Sequence, residues 1–188
     1  MDAFELLVAS ILEREGFWVR SSFKVELTKE EKQEINRPTS PRWEIDLVAY
    51  KAGTNELRII ECKSYLDSRG VAINAFDGSN EGFANRFKIF NDEKLRSVVV
   101  NRLVTQLVER KAILSNPKII VCLAAGKIAS VSDKDKLKAH FESNDWELLD
   151  DEWLCKQLMS IADGGYQNDV ADVVAKLLLR TKYMKCIT

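Results

Sequence analysis

Two segments, Trp43–Lys51 (WEIDLVAYK) and Glu56–Ser64 (ELRIIECKS), stand on either side of the short link Ala52-Gly53-Thr54-Asn55. Apolar residues, many of them β-branched, fill the middle of both segments, and a short turn-rich link between such runs joins antiparallel strands. The pair therefore reads as a β-hairpin. No other feature constrains the chain as much, because a hairpin fixes which residues stand opposite one another and which share a face. Side chains two apart lie on one face, so Glu44, Asp46 and Val48 should point one way on the first strand, while Ile59, Glu61 and Lys63 share a face on the second. Closing the hairpin brings Asp46, Glu61 and Lys63 toward one end of it.

Two carboxylates and an amine at the end of otherwise apolar strands are costly to place unless they bind something, since buried charges must be paired or coordinated. A hard divalent ion such as Mg²⁺ suits them, because it takes oxygen ligands and binds through one or two carboxylates plus substrate phosphate oxygens. Such an ion acidifies water and polarises a phosphate, and a lysine beside it can orient or help deprotonate the water and offset charge on the reacting phosphorus. Spacing alone does not single the triplet out: Glu30-Glu31-Lys32 and Asp92-Glu93-Lys94 also read acid, any residue, lysine. Context separates them, for those two lie in polar segments while Glu61-Cys62-Lys63 closes an apolar strand. The bland alternative is a cross-strand salt bridge at a hairpin edge, worth little if exposed.

Around the hairpin the pattern alternates between helix and strand. Asp2 can cap a helix to about Glu15, with Phe4, Leu7, Val8 and Ile11 as its apolar stripe and Gly16 as its stop. Phe17 to Val25 reads as a strand, and the polar stretch Glu26 to Arg42, with Pro38 and Pro41, as a loop with at most some helix. Tyr65 to Asn91 is an irregular excursion whose Phe76, Phe83, Phe87 and Phe90 are expected to dock it rather than stack on bases. A second long helix spans Asp92 to about Leu114, followed by a buried strand over Lys118 to Ala124. Asp133 to Ser143 is a helix, Trp146 to Leu149 a short strand, and Asp151 to Ile161 and Asp169 to Lys182 are two closing helices.

Composition narrows the function classes. At 188 residues and 46% apolar content, the chain has the size of one domain with a real core. No apolar run reaches the length of a membrane span, and Phe4 to Leu12 is interrupted by Glu5 and preceded by Asp2, so a soluble, cytoplasmic protein with no membrane partner is expected. The four cysteines, Cys62, Cys122, Cys155 and Cys186, never form a C-x-x-C pair, which argues against a zinc knuckle or redox motif and for small core residues. The single histidine, His140, argues against His-rich metal sites and is expected at the surface. A net charge of −1 exerts no general pull on a polyanion, so any nucleic-acid contact has to come from a local patch.

The run of helix, strand, Ile45-Asp46, hairpin, Glu61-Cys62-Lys63, helix and strand, over roughly Asp2 to Ala125, resembles the PD-(D/E)XK nuclease superfamily, nearest to Holliday-junction resolvases and Mrr-like enzymes. Ile45 stands where many members carry proline. The resemblance implies an α/β, restriction-endonuclease-like αβββαβ core with a central mixed sheet flanked by helices. One nuclease-like domain would then cover 1–188, its core about 2–125 and its C-terminal extension about 126–188.

The resemblance further implies that Asp46 and Glu61 ligate Mg²⁺ or Mn²⁺, that the backbone carbonyl of Cys62 adds a ligand, and that Lys63 is the catalytic lysine. Resolvase-like members also bring a first-helix glutamate to the metal. Glu5 lies on the flank of the apolar stripe and Glu13 projects away from it, so Glu5 is chosen. Arg20 and Ser21 resemble the resolvase pattern, although the 26–42 insertion lengthens the gap to Asp46. Gln106 stands where RecB-like members carry a helical glutamine, with Arg110 in place of their tyrosine, and an ordinary polar helix flank describes it equally well. The implied function is a divalent-metal-dependent nuclease acting on DNA. The alternative is a catalytically silent nucleic-acid-binding or assembly module of the same fold, and a homodimer is left open.

Overall fold

A computed structural model of the chain describes residues 2–39 and 42–180. The first helix, α1 (Ala3–Arg14), starts on a capping box: the Asp2 carboxylate accepts the Glu5 N–H at 2.8 Å and Glu5 accepts the Asp2 N–H at 3.3 Å. Gly16, at φ +88°, ends it in the left-handed conformation that glycine adopts without strain. Next come β1 (Trp18–Val25), α2 (Lys29–Glu34), β2 (Trp43–Lys51) and β3 (Glu56–Lys63). Two single turns, α3 (Glu81–Ala84) and α4 (Lys88–Asn91), lead into the long α5 (Glu93–Glu109). The chain continues through β4 (Lys118–Ala125), α6 (Val131–Ser143), β5 (Glu147–Leu149), α7 (Asp151–Asp163) and α8 (Val170–Arg180).

The fold is α/β, with a five-stranded mixed sheet in the order β1-β2-β3-β4-β5 and helices on both faces. β1, β2 and β3 run antiparallel, whereas β4 lies parallel to β3 after the α5 crossover and β5 lies parallel to β4. On one face Val48, Ile59 and Leu123 pack with Leu95, Val99 and Leu103 of α5 and with the aromatics of the 65–91 segment. On the other, Leu47, Ile60 and Cys122 pack with Val8, Ile11 and Leu12 of α1 and with Leu154 and Ile161 of α7. Two-sided burial explains why β3 and β4 read as nearly continuous apolar runs.

Several expectations shift. The 26–42 stretch carries a helix, α2, built on a Thr28/Glu31 capping box and anchored by buried Leu27 and Ile35, where the sequence suggested mainly loop. Helix α5 stops at Glu109, and Leu114, read as part of its stripe, is exposed beyond its end. Within 65–91, Phe76, Phe87 and Phe90 are buried as anchors, but Phe83 is 39% exposed. His140 is half-buried and its ring lies 5.8 Å from that of Trp146. Cys62 and Cys122 are buried core thiols and Cys155 is exposed; Cys186 and the expected helix end at Lys182 lie outside the described residues. Among the described residues, no helix is long and apolar enough to cross a membrane.

Candidate active site

A break in strand alternation builds the site. Leu47 and Ala49 belong to the α1 side of the sheet, yet Ile45, two residues before Leu47, is buried on the α5 side. β1 changes sides at the same level: Val19 packs toward α1, while Phe23 and Val25 face α5. The pairs Ser21/Leu47 and Phe23/Ile45 flank the break, and Ser22, at φ +49°, stands between them opposite Asp46. A non-glycine residue with positive φ costs about 1–3 kcal/mol and persists where its surroundings enforce it. Strict alternation, which would put Glu44, Asp46 and Val48 on one face, therefore fails here. Asp46 falls at the crossover, between the two faces.

This position lets Asp46 reach sideways to the neighbouring strand. Pairing of β2 with β3 ends at Leu47/Ile60. One step further, the Asp46 carboxylate accepts the backbone N–H of Cys62 at 2.8 Å, replacing a ladder bond that the diverging strands no longer make. Asp46 is thereby fixed beside the strand segment that carries Glu61 and Lys63.

Glu61 and Lys63 are mostly shielded from water and bonded to each other, with the Lys63 Nζ donating to Glu61 Oε1 at 2.5 Å. Burial raises the Glu61 pKa above the ordinary glutamate range; Lys63 opposes that shift, while Asp46 and Glu5 add to it. For Lys63, burial disfavours the charge, but Glu61, Asp46 and Tyr65 outweigh it and lift the pKa above the ordinary lysine range. The ammonium also lies 6.0 Å above the ring of buried Phe87. Burial likewise pushes the Cys62 thiol well up, which leaves it inert as a nucleophile.

Glu5 approaches from the opposite face on α1. It is half-buried, and burial followed by the proximity of Asp46 raises its pKa. Asp46 is thus the common neighbour of two glutamates on opposite sides of the sheet. Glu13 is exposed, as the helical wheel predicts. Arg20 is also exposed, 6.0 Å above the Phe23 ring.

Gln106 is not gathered with this group. It is 4% exposed, its Oε1 accepts the Glu26 N–H at 3.0 Å and its Nε2 donates to the Lys24 carbonyl at 3.2 Å. Both ends of its amide are committed to backbone where β1 ends, so it bolts α5 to the sheet. Arg110 lies at the end of the same helix, within 3.6 Å of Glu26.

Among the described residues, no three Asp, Glu, His or Cys side chains already close on one point. Asp46 is turned to the Cys62 N–H, Glu61 to Lys63, and Glu5 to the Asp2 N–H. The donors at this strand end are nevertheless carboxylate oxygens, the kind a hard divalent ion takes, and their crowding is a repulsion such an ion would relieve. Sequence reasoning missed Ser22, whose conformation aims Asp46, and Phe87, which lies under Lys63. Comparison of the chain with family models, with curated proteins and with solved structures finds no match to any of them.

Proposed function

We propose that this chain is a divalent-metal-dependent nuclease of restriction-endonuclease-like fold that hydrolyses phosphodiester bonds in DNA. The observation that carries the reading is the Asp46–Cys62 hydrogen bond, which holds an aspartate beside a half-buried Glu61–Lys63 pair at the point where two central strands part. The element order supports it too: helix, three antiparallel strands, a crossover helix and a parallel fourth strand. The substrate class comes from the sequence resemblance.

Asp46 and Glu61 would hold Mg²⁺ or Mn²⁺, with Glu5 and the Cys62 carbonyl completing the protein's share. When bound, such an ion supplies Lewis-acid polarisation of the scissile phosphate and acidifies water. The bond to Cys62 engages one oxygen of Asp46 and keeps the carboxylate at this strand end. Lys63 orients or helps deprotonate the attacking water and offsets negative charge gathering on the phosphate. The half-buried setting strengthens each of these interactions relative to water.

The test is incubation of purified protein with plasmid DNA in Mg²⁺ or Mn²⁺ and in EDTA. Cleavage is expected only with metal, and it should fall by about 10²-fold or more in Lys63→Ala. Cutting that survives Asp46→Ala or Lys63→Ala would sink the assignment. DNA binding without cutting in either metal would favour the silent module instead.

A further inference from the structure

A hollow of about 270 Å³ opens in the 65–87 segment that follows β3, lined by Tyr65, Arg69, Asn74, Phe83, Arg86 and Phe87 among others. Phe87 joins it to the candidate active site, since the ring that lines the hollow is the one over which the Lys63 ammonium sits. Its charge is opposite to that of the site: both charged lining residues are arginines, and among the described residues no carboxylate lines it. An anionic chain bound across Asp46 and Glu61 would find its counter-charge here.

The walls are fixed independently of any ligand. Val71 bonds to the segment after β4 in both directions, its N–H to the Lys127 carbonyl at 2.9 Å and its carbonyl to the Ala129 N–H at 2.8 Å. Gly70, at φ +96°, lies so close to Ala129 that a Cβ there would come within 2.9 Å of its nitrogen. Asp133 accepts the Ile73 N–H at 3.0 Å, and the Asn91 amide donates to the Ala75 carbonyl at 2.7 Å. At the mouth, Phe83 is the one phenylalanine of this segment left exposed, with the Arg86 guanidinium 5.4 Å from its ring. An exposed aromatic beside an arginine, on the rim of a preformed basic hollow, is the pairing that holds an unstacked base and its phosphate.

We propose that this hollow takes one unpaired nucleotide of the substrate strand next to the scissile phosphate, its base on Phe83 and its phosphate against Arg69 and Arg86. The inference rests on the reading of Asp46, Glu61 and Lys63 as a phosphodiester-cleaving site. The volume sits just below the range of about 300–1,000 Å³ typical of small-molecule pockets, which suits one ring system and not a stacked base pair. A ring can stack only on a base whose face is free, so the hollow selects single-stranded or extruded nucleotides over intact duplex.

Fluorescence anisotropy of the full chain in EDTA, with labelled single strands and a blunt duplex of one sequence, tests this. The single strand, whether DNA or RNA, is expected to bind more tightly than the duplex. Phe83→Ala should weaken single-strand binding by about 5- to 100-fold and leave duplex binding unchanged, and Phe83→Trp should restore it. Because Phe83 is exposed, neither substitution threatens the fold. Equal affinity for strand and duplex, or single-strand binding indifferent to Phe83→Ala, would overturn the proposal. Cleavage in Mg²⁺ is read separately. Phe83-dependent strand binding without metal-dependent cutting keeps the hollow and loses the catalytic reading. Metal-dependent cutting in which Phe83→Ala binds and cleaves the single strand as well as wild type keeps the catalytic reading and loses the hollow.

Discussion

The carboxylate of Asp46 accepts the backbone N–H of Cys62 at 2.8 Å, across the point where β2 and β3 stop pairing. The bond ties a structural role to a proposed chemical one, and substitution separates them. Asp46→Asn keeps a carbonyl acceptor for the Cys62 N–H and should unfold close to wild type. Asp46→Ala leaves that N–H without its partner and should cost about 1–3 kcal/mol in urea denaturation. Both should lose metal-dependent cleavage. Full activity in the folded Asn variant would show that Asp46 is only a strand fastener.

Gln106 supplies the converse case. Its buried amide bridges the Lys24 and Glu26 backbone, so Gln106→Leu should destabilise the protein by about 1–3 kcal/mol and leave cleavage per folded molecule unchanged. A folded Gln106→Leu protein with cleavage reduced tenfold or more would return this residue to the chemistry.

Ser22 holds the crossover that aims Asp46. Glycine tolerates its φ of +49°, so Ser22→Gly should stay folded and active, whereas Ser22→Val should cost about 1–3 kcal/mol by thermal melting and weaken cleavage as Asp46 is misdirected. Equal melting of the two variants would contradict the positive-φ assignment.

Asp169 joins α8 to α1, accepting from Arg14 Nη2 at 2.5 Å and from the Asp172 N–H at 2.8 Å. Burial pushes its carboxyl up, but Arg14 and the backbone N–H bonds prevail and hold its pKa below the ordinary aspartate range. A depressed folded pKa stabilises above the unfolded pKa, and the stabilisation is lost as pH falls through the folded value. Asp169→Asn, which retains a capping side chain, should therefore cost up to about 1 kcal/mol at neutral pH. The gap should close in acid, as followed by urea unfolding across pH. A gap of constant size would show that charge is not its source.

How much of this was legible in the sequence depends on how local each cause is. The hairpin could be read because its turn residues and apolar strands are local signals, and with it came the meeting of Asp46 with Glu61 and Lys63. The resemblance asked for a first-helix glutamate, and helix geometry separated half-buried Glu5 from exposed Glu13. The α2 helix had a readable Thr28/Glu31 capping box, but six residues with no apolar period offered no stripe to go with it. The crossing of β1 and β2 from one face to the other was hidden, because a serine at positive φ is imposed by tertiary packing and leaves no mark in composition. The role of Gln106 was hidden likewise: its partners are carbonyl and N–H groups some 80 residues earlier, which no helical wheel displays.

The central claim is that the carboxylates of Asp46 and Glu61 share a catalytic ion, and diffraction at the manganese absorption edge from crystals grown with Mn²⁺ and a short DNA tests it most directly. The account predicts an anomalous peak about 2.1 Å from an oxygen of each carboxylate, lost in Asp46→Asn crystals. A protein that cleaves DNA with Mn²⁺ yet shows no peak between these two residues, or shows its ion elsewhere, would contradict it.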